Sequence, residues 1–111
     1  MSELLDIMKA LGDKTRYNVV KLLLQHNYCV GALAKKLDIS KSAASQHLKV
    51  LRNAGVVKGE KRGYFTHYYV ERDLLRDAAK EIVALSELEK LENKCTKSGS
   101  KNHSCCEKGV K

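Results

Sequence analysis

Several absences narrow the field before any motif is read. No stretch of the 111 residues approaches the roughly 20 apolar residues of a membrane-spanning helix. The N-terminus, MSELLDIMKALGD, carries Glu3 and Asp6 and no long apolar run, so it does not read as a secretion signal. No helical pattern has the basic amphipathic face that membrane-surface binding needs. No low-complexity repeat precedes residue 93. The expectation is a cytoplasmic protein without a membrane partner. Its four cysteines then stay reduced unless a metal or an oxidant claims them. The length suits one small domain with one modest core.

Acidic charge is scarce where basic charge gathers. The chain carries a net +8, and residues 35–62 hold eight cations against Asp38 and Glu60. Residues 71–92 reverse the balance, with four cations against seven carboxylates. A basic block of this kind fits attraction to phosphates.

That block sits in the segment that organises the chain, VGALAKKLDISKSAASQHLKVLRNAGVVKGEKRGYFTHYYV, from Val30 to Val70. Leu33, Ala34 and Leu37 share one face of a first short helix, and Ala44, Leu48 and Leu51 one face of a second. Asp38-Ile39-Ser40 connects them, and Ser40 is placed to cap the second helix with its hydroxyl. Ala34 is small where two helices cross closely. The spacing is that of a helix-turn-helix. The outer face of the second helix offers Lys41, Ser42, Ser45, Gln46 and Lys49, a set suited to a major groove. Gly55 is placed to end the helix in the left-handed region. Val56–Glu60 and Tyr64–Val70 then read as two strands, with Lys61, Arg62 and Gly63 as the turn. A basic-tipped hairpin after such a helix is a wing, with Lys58, Lys61, Arg62 and Tyr64 as its contacts to DNA.

Around this segment the pattern is helical. Leu4, Met8 and Leu11 mark one face of a first helix that Gly12 stops. Asp13 is placed to cap a second helix over residues 14–25, with Tyr17, Val20, Leu23 and Leu24 inward and Val19 and Leu22 widening the stripe. His26-Asn27-Tyr28 breaks it, and Cys29 opens the third helix. Asp73 to Leu88 marks a last helix of about five turns, too apolar to lie alone on a small domain. It is expected to pair with its twin, together with the first helix, in a homodimer. The fold class is therefore mainly α with a small β-hairpin: a winged helix-turn-helix whose dimer is built on the first and last helices. His47 and His67 read as structural or DNA-side residues, and His26 as an ordinary helix-end residue.

The segment LDISKSAASQHLKVLRNAGVV, with the earlier LGDKTRYNVVKLLL, resembles the ArsR/SmtB metal-sensing repressors over roughly residues 10–70. The resemblance implies a repressor that leaves its operator when it binds a metal or metalloid. Two sites that it would also imply are incomplete. Related arsenic and cadmium sensors carry a Cys-x-Cys pair at the start of the third helix, but this chain has Cys29-Val30-Gly31. Zinc-sensing relatives carry Asp-x-His and a further His on the last helix, but Asp73 and Asp77 have no histidine near them. An enzyme reading fails on one residue. A phosphatase or arsenate-reductase loop starting at Cys29 needs Arg, to clamp an oxyanion with two bonds, where Lys35 stands. The chain is not expected to be an enzyme.

From Asn93 onward apolar residues almost vanish, so 1–92 reads as the DNA-binding and dimerisation domain and 93–111 as a flexible tail. The tail holds Cys95, Cys105 and Cys106, with His103 close by. Three thiolates suit trivalent arsenic or antimony, and adding His103 suits zinc or cadmium. Cys29 is a further ligand candidate, and its plainer reading is core filler. The expectation is a homodimeric repressor that needs no cofactor to bind double-stranded operator DNA at an inverted repeat. It would be released by As(III) or Sb(III), or alternatively by Cd(II), Zn(II) or Pb(II). A thiol redox or persulfide sensor of the same fold is the rival within the class. A metal-binding interaction module without an operator is the rival outside it.

Overall fold

A computed structural model describes residues 4–91 of the chain. In order, the elements are α1 (Leu4–Leu11), α2 (Lys14–Gln25), α3 (Val30–Leu37), α4 (Lys41–Asn53), β1 (Val57–Arg62), β2 (Phe65–Val70) and α5 (Arg72–Ser86). The mainly helical class with one small hairpin is the one the sequence predicts.

The helix ends follow from named side chains. Asp13 accepts from the Arg16 backbone N–H at 3.1 Å and starts α2. The Arg16 guanidinium turns back on α1, where Nε donates to the Ala10 carbonyl at 2.7 Å. It thereby satisfies a carbonyl that the helix end leaves open. Ser40 accepts from the Ala43 N–H at 3.0 Å and starts α4. α4 ends with Gly55 at φ 83°. There the Gly55 N–H reaches the Arg52 carbonyl and the Val56 N–H the Leu51 carbonyl, the paired bonds of a Schellman motif. α3 ends with the same two bonds, from Asp38 to the Lys35 carbonyl and from Ile39 to the Ala34 carbonyl. Its left-handed residue is Asp38, at φ 58°.

The core is one cluster shared by all the helices and the base of the hairpin. Leu33, Leu48, Leu51, Val19, Val56 and Val57 are its largest fully buried side chains. No charged or polar residue is buried among the described residues. The strands pair antiparallel from Val57↔Val70 to Arg62↔Phe65. The other edge of β2 meets the entry to α3, where the Tyr68 N–H donates to the Tyr28 carbonyl at 2.9 Å and Cys29 bridges His67. The wing is therefore tied at its base on both sides.

Four expectations need correction. α1 turns Ile7 and Ala10 inward, leaving Met8 exposed and Leu11 only partly covered. Tyr17 is 53% exposed, with Lys21 Nζ 5.8 Å from its ring centre; Val19, Val20 and Leu23 already fill the buried face of α2. Lys61 and Arg62 belong to β1, and the turn is Gly63-Tyr64. A two-residue hairpin matches strand twist when its first residue has positive φ, and Gly63 supplies it at 65°. α5 ends at Ser86 instead of Leu88. The Ser86 hydroxyl donates to the Val83 carbonyl at 2.6 Å, and Glu87 and Leu88 bond three residues back, which tightens and closes the last turn.

Candidate nucleic-acid interface

α4 is held by its inner face. Ala44, Leu48 and Leu51 are buried, and α3, α2 and α1 all pack against it. Lys41, Ser42, Ser45, Gln46 and Lys49 are all exposed. At 3.6 residues per turn they span an arc of about 140° on the outer side. The five groove residues read from the sequence are therefore brought together on one solvent face. The N-cap at Ser40 fixes where that face begins. His47 is half-buried beside this face.

The cap of α2 is also electrostatically tuned. The Asp13 carboxyl sits below its ordinary value, mainly because it accepts from the Arg16 backbone N–H; burial opposes this, and the Arg16 and His47 side chains and the Thr15 backbone N–H add to the lowering.

On the wing, Lys58, Lys61, Arg62 and Tyr64 are exposed. Two of the cations have carboxylate partners. Lys58 lies 3.6 Å from Glu71 and Arg62 3.5 Å from Glu60. Such exposed pairs contribute about 0–1 kcal/mol, so phosphates compete for these cations readily. Lys61 has no ion pair among the described residues. Between wing and helices lies a cleft of about 240 Å³ lined by Cys29, Gly31, Lys41, Tyr64, Phe65 and Tyr68, among others.

Three residues of this region escape sequence reasoning. Phe65 is 62% exposed at the wing tip, although a strand aromatic reads as core. Asp38 carries the positive φ of the helix-turn-helix, a role that its turn propensity hints at. Gly59 lets the wing close. A Cβ there would stand 2.9 Å from Thr66 Cγ2 and 3.1 Å from Tyr68 Cε1, and a glycine inside a strand is the signal for such close approach.

For the metal readings, the described part offers little. Cys29 is a free, half-buried thiol, and no group of three or more His, Cys, Asp or Glu side chains is gathered among the described residues. Cys95, Cys105, Cys106 and His103 lie outside the described residues. No helix among the described residues is long and apolar enough to cross a membrane.

Comparison with known proteins agrees with this geometry. The model described as "Bacterial regulatory protein, arsR family" matches residues 13–58. An uncharacterized HTH-type transcriptional regulator of Methanocaldococcus jannaschii is 37% identical over 72% of this chain and 86% of its own length. The arsenical resistance operon repressor of Escherichia coli is 39% identical over 70% of this chain and 68% of its own. Among solved structures, the homodimeric winged helix-turn-helix DNA-binding domain Mb0332 of Mycobacterium bovis superposes with a TM-score of 0.63 at 27% identity, covering 81% and 85% of the two chains. These relatives are transcriptional regulators and not enzymes. The capped recognition helix, the tied wing and the match over residues 13–58 place the chain in the ArsR family of winged helix-turn-helix transcriptional regulators.

Proposed function

We propose that the protein is a homodimeric repressor that binds an inverted repeat in operator DNA and is released by a thiophilic metal or metalloid, trivalent arsenic or antimony first. The observation that carries the DNA-binding half is the outer face of α4, five exposed polar and basic side chains on a helix anchored by three buried ones. Ser42, Ser45 and Gln46 are the base-edge readers, Lys41 and Lys49 flank them, and Lys58, Lys61, Arg62 and Tyr64 act from the wing.

The dimer reading is supported by what α1 and α5 leave uncovered. Leu5, Met8, Ile82, Val83, Leu85 and Leu88 are each between 43% and 74% exposed in the single chain. A groove of about 390 Å³ between α1 and α5 is lined by Leu4, Glu81, Ala84, Leu85 and Leu88. Burying such surface is worth about 25 cal/mol per Å², and a two-fold pair of readers calls for half-sites about 34 Å apart.

The sensing half rests on composition and kinship. Cys95, Cys105 and Cys106 are three thiols within twelve residues of sequence, with His103 beside them. Three thiolates match the demand of a soft trivalent ion, and an arsenical resistance repressor is 39% identical over most of the chain. The native inducer is tested with one reduced, metal-free preparation. DNA binding is titrated with arsenite, antimonite, cadmium, zinc, lead and hydrogen peroxide. Release by arsenite and antimonite at the lowest concentrations is expected. Release by peroxide alone would replace this reading with a redox sensor, and absence of sequence-selective DNA binding would leave an interaction module.

A further inference from the structure

The wing tip spends two aromatic rings on solvent. Tyr64 is 100% exposed and Phe65 62%. Neither belongs to the core, which holds the wing through Val57 and Val70 with Tyr68 packed against them. A Cβ at Gly63 would meet nothing within 4 Å, so the turn itself is open, while Tyr64 and Phe65 border the cleft between the wing and the helices.

The strand register says how the tip is charged. Arg62 lies opposite Phe65 and Lys61 opposite Thr66. Side chains of adjacent residues in a strand point to opposite faces, so one cation flanks the tip on each face, with the aromatic pair at the end. Such a tip matches a groove walled on both sides by phosphates. α4 occupies the major groove in the reading above, and the wing projects beside it. In the minor groove an aromatic ring finds a degenerate hydrogen-bond pattern to read. What apolar side chains do there is enter between base pairs and unstack them.

We propose that Tyr64, backed by Phe65, is a wedge that enters the minor groove, partly unstacks one base step and bends the operator. The inference rests on the operator-binding reading and adds a second source of specificity to it. A pyrimidine–purine step under the wing deforms most easily, so the protein selects such a step without hydrogen-bonding to it.

The probe is a set of duplexes of about 30 base pairs, enriched from a randomised library by the wild-type full-length protein. Dyes at the two ends report bending by energy transfer. The wild-type complex is expected to bring the ends closer. Tyr64→Ala and Phe65→Ala are each expected to lower affinity about tenfold, as loss of a stacked ring does, and to return the duplex toward straight. Tyr64→Leu keeps the bend as an apolar wedge, while Tyr64→Arg keeps affinity without it. Both positions are exposed, so all variants keep the wild-type melting temperature. A straight wild-type complex, or a bend unchanged in both alanine variants, overturns the wedge and leaves operator binding standing; a tip that serves a protein contact gives this result. A library that yields no enriched duplex removes the operator reading and the wedge with it.

Discussion

Asp38 is the one non-glycine residue at positive φ among the described residues. A left-handed L-residue is strained by Cβ against the next carbonyl, and Asp bears that better than most. Asp38→Gly is expected to raise stability by about 0.5–1 kcal/mol, read as a rise of a few degrees in the thermal melt; a fall would mean that its carboxylate has an unseen partner. Gln46 faces outward on α4, where an amide can bond an adenine with two hydrogen bonds. Gln46→Ala is expected to cost about 1–3 kcal/mol on the preferred duplex and little on random DNA, measured by competition binding. Asp13 titrates below its ordinary value because the α2 amide ends favour its carboxylate. Its folded pKa is depressed, so its stabilisation is complete above the unfolded value and is lost as pH falls through the folded one. Asp13→Asn should therefore narrow the gap in melting temperature between neutral pH and pH of about 3. At this scale the sequence was legible where one side chain does one job, as at Asp13, Ser40 and Gly55. Tyr17 was misread because a tyrosine fits an apolar stripe and a wet surface equally well, and only the packed neighbours decide.

The elements show a similar division. α2 begins and ends where its cap and periodicity put it, and the helix-turn-helix follows its two apolar faces. The wing turn was misplaced by its charge. Lys61-Arg62-Gly63 looks like a loop by composition, yet the turn needs only one residue at positive φ, and that is Gly63. The two cations are free to lie in β1, where they flank the tip. The wing also depends on Gly59. Gly59→Val drives side-chain atoms into Thr66 and Tyr68 and is expected to cost about 1–3 kcal/mol, with loss of the wing's contribution to DNA affinity; an unchanged melt would show that the strands separate easily. α3 lacks the second cysteine of the pair that related sensors carry. The Gly31 position has room, since a Cβ there would meet Lys41 Cε at 3.5 Å, an ordinary contact. Gly31→Cys is therefore expected to fold normally and to give the domain a two-thiol soft-metal site, visible as a cadmium–thiolate absorption band that Cys29→Ser abolishes.

The whole molecule is read as two copies of a basic reader joined through the apolar surface of α1 and α5. The exposed Ile82, Val83 and Leu85 of α5, with Leu88 just beyond it, are meaningful only at this scale. In one chain they are wet, and the apolar stripe of the last helix was already legible in the sequence as a face that pairs with its twin and with the first helix. Sedimentation of a dimer at micromolar concentration, with and without ligand, is expected; a monomer that binds operator tightly would leave that surface unexplained. In the proposed reading, sensing belongs to Cys95, Cys105 and Cys106, which follow α5 in sequence. A ligand shifts DNA affinity only by its differential affinity for the two dimer shapes, typically about 1–3 kcal/mol. The most direct test compares arsenite-driven release of operator DNA from the full chain and from a chain ending at residue 92. Both are expected to bind, the shorter one with slightly weaker affinity for random DNA because it lacks five lysines, and only the full chain is expected to let go. Release of the shorter chain at the same arsenite concentration would contradict the account and place the sensing site in the folded domain, with Cys29 at its centre.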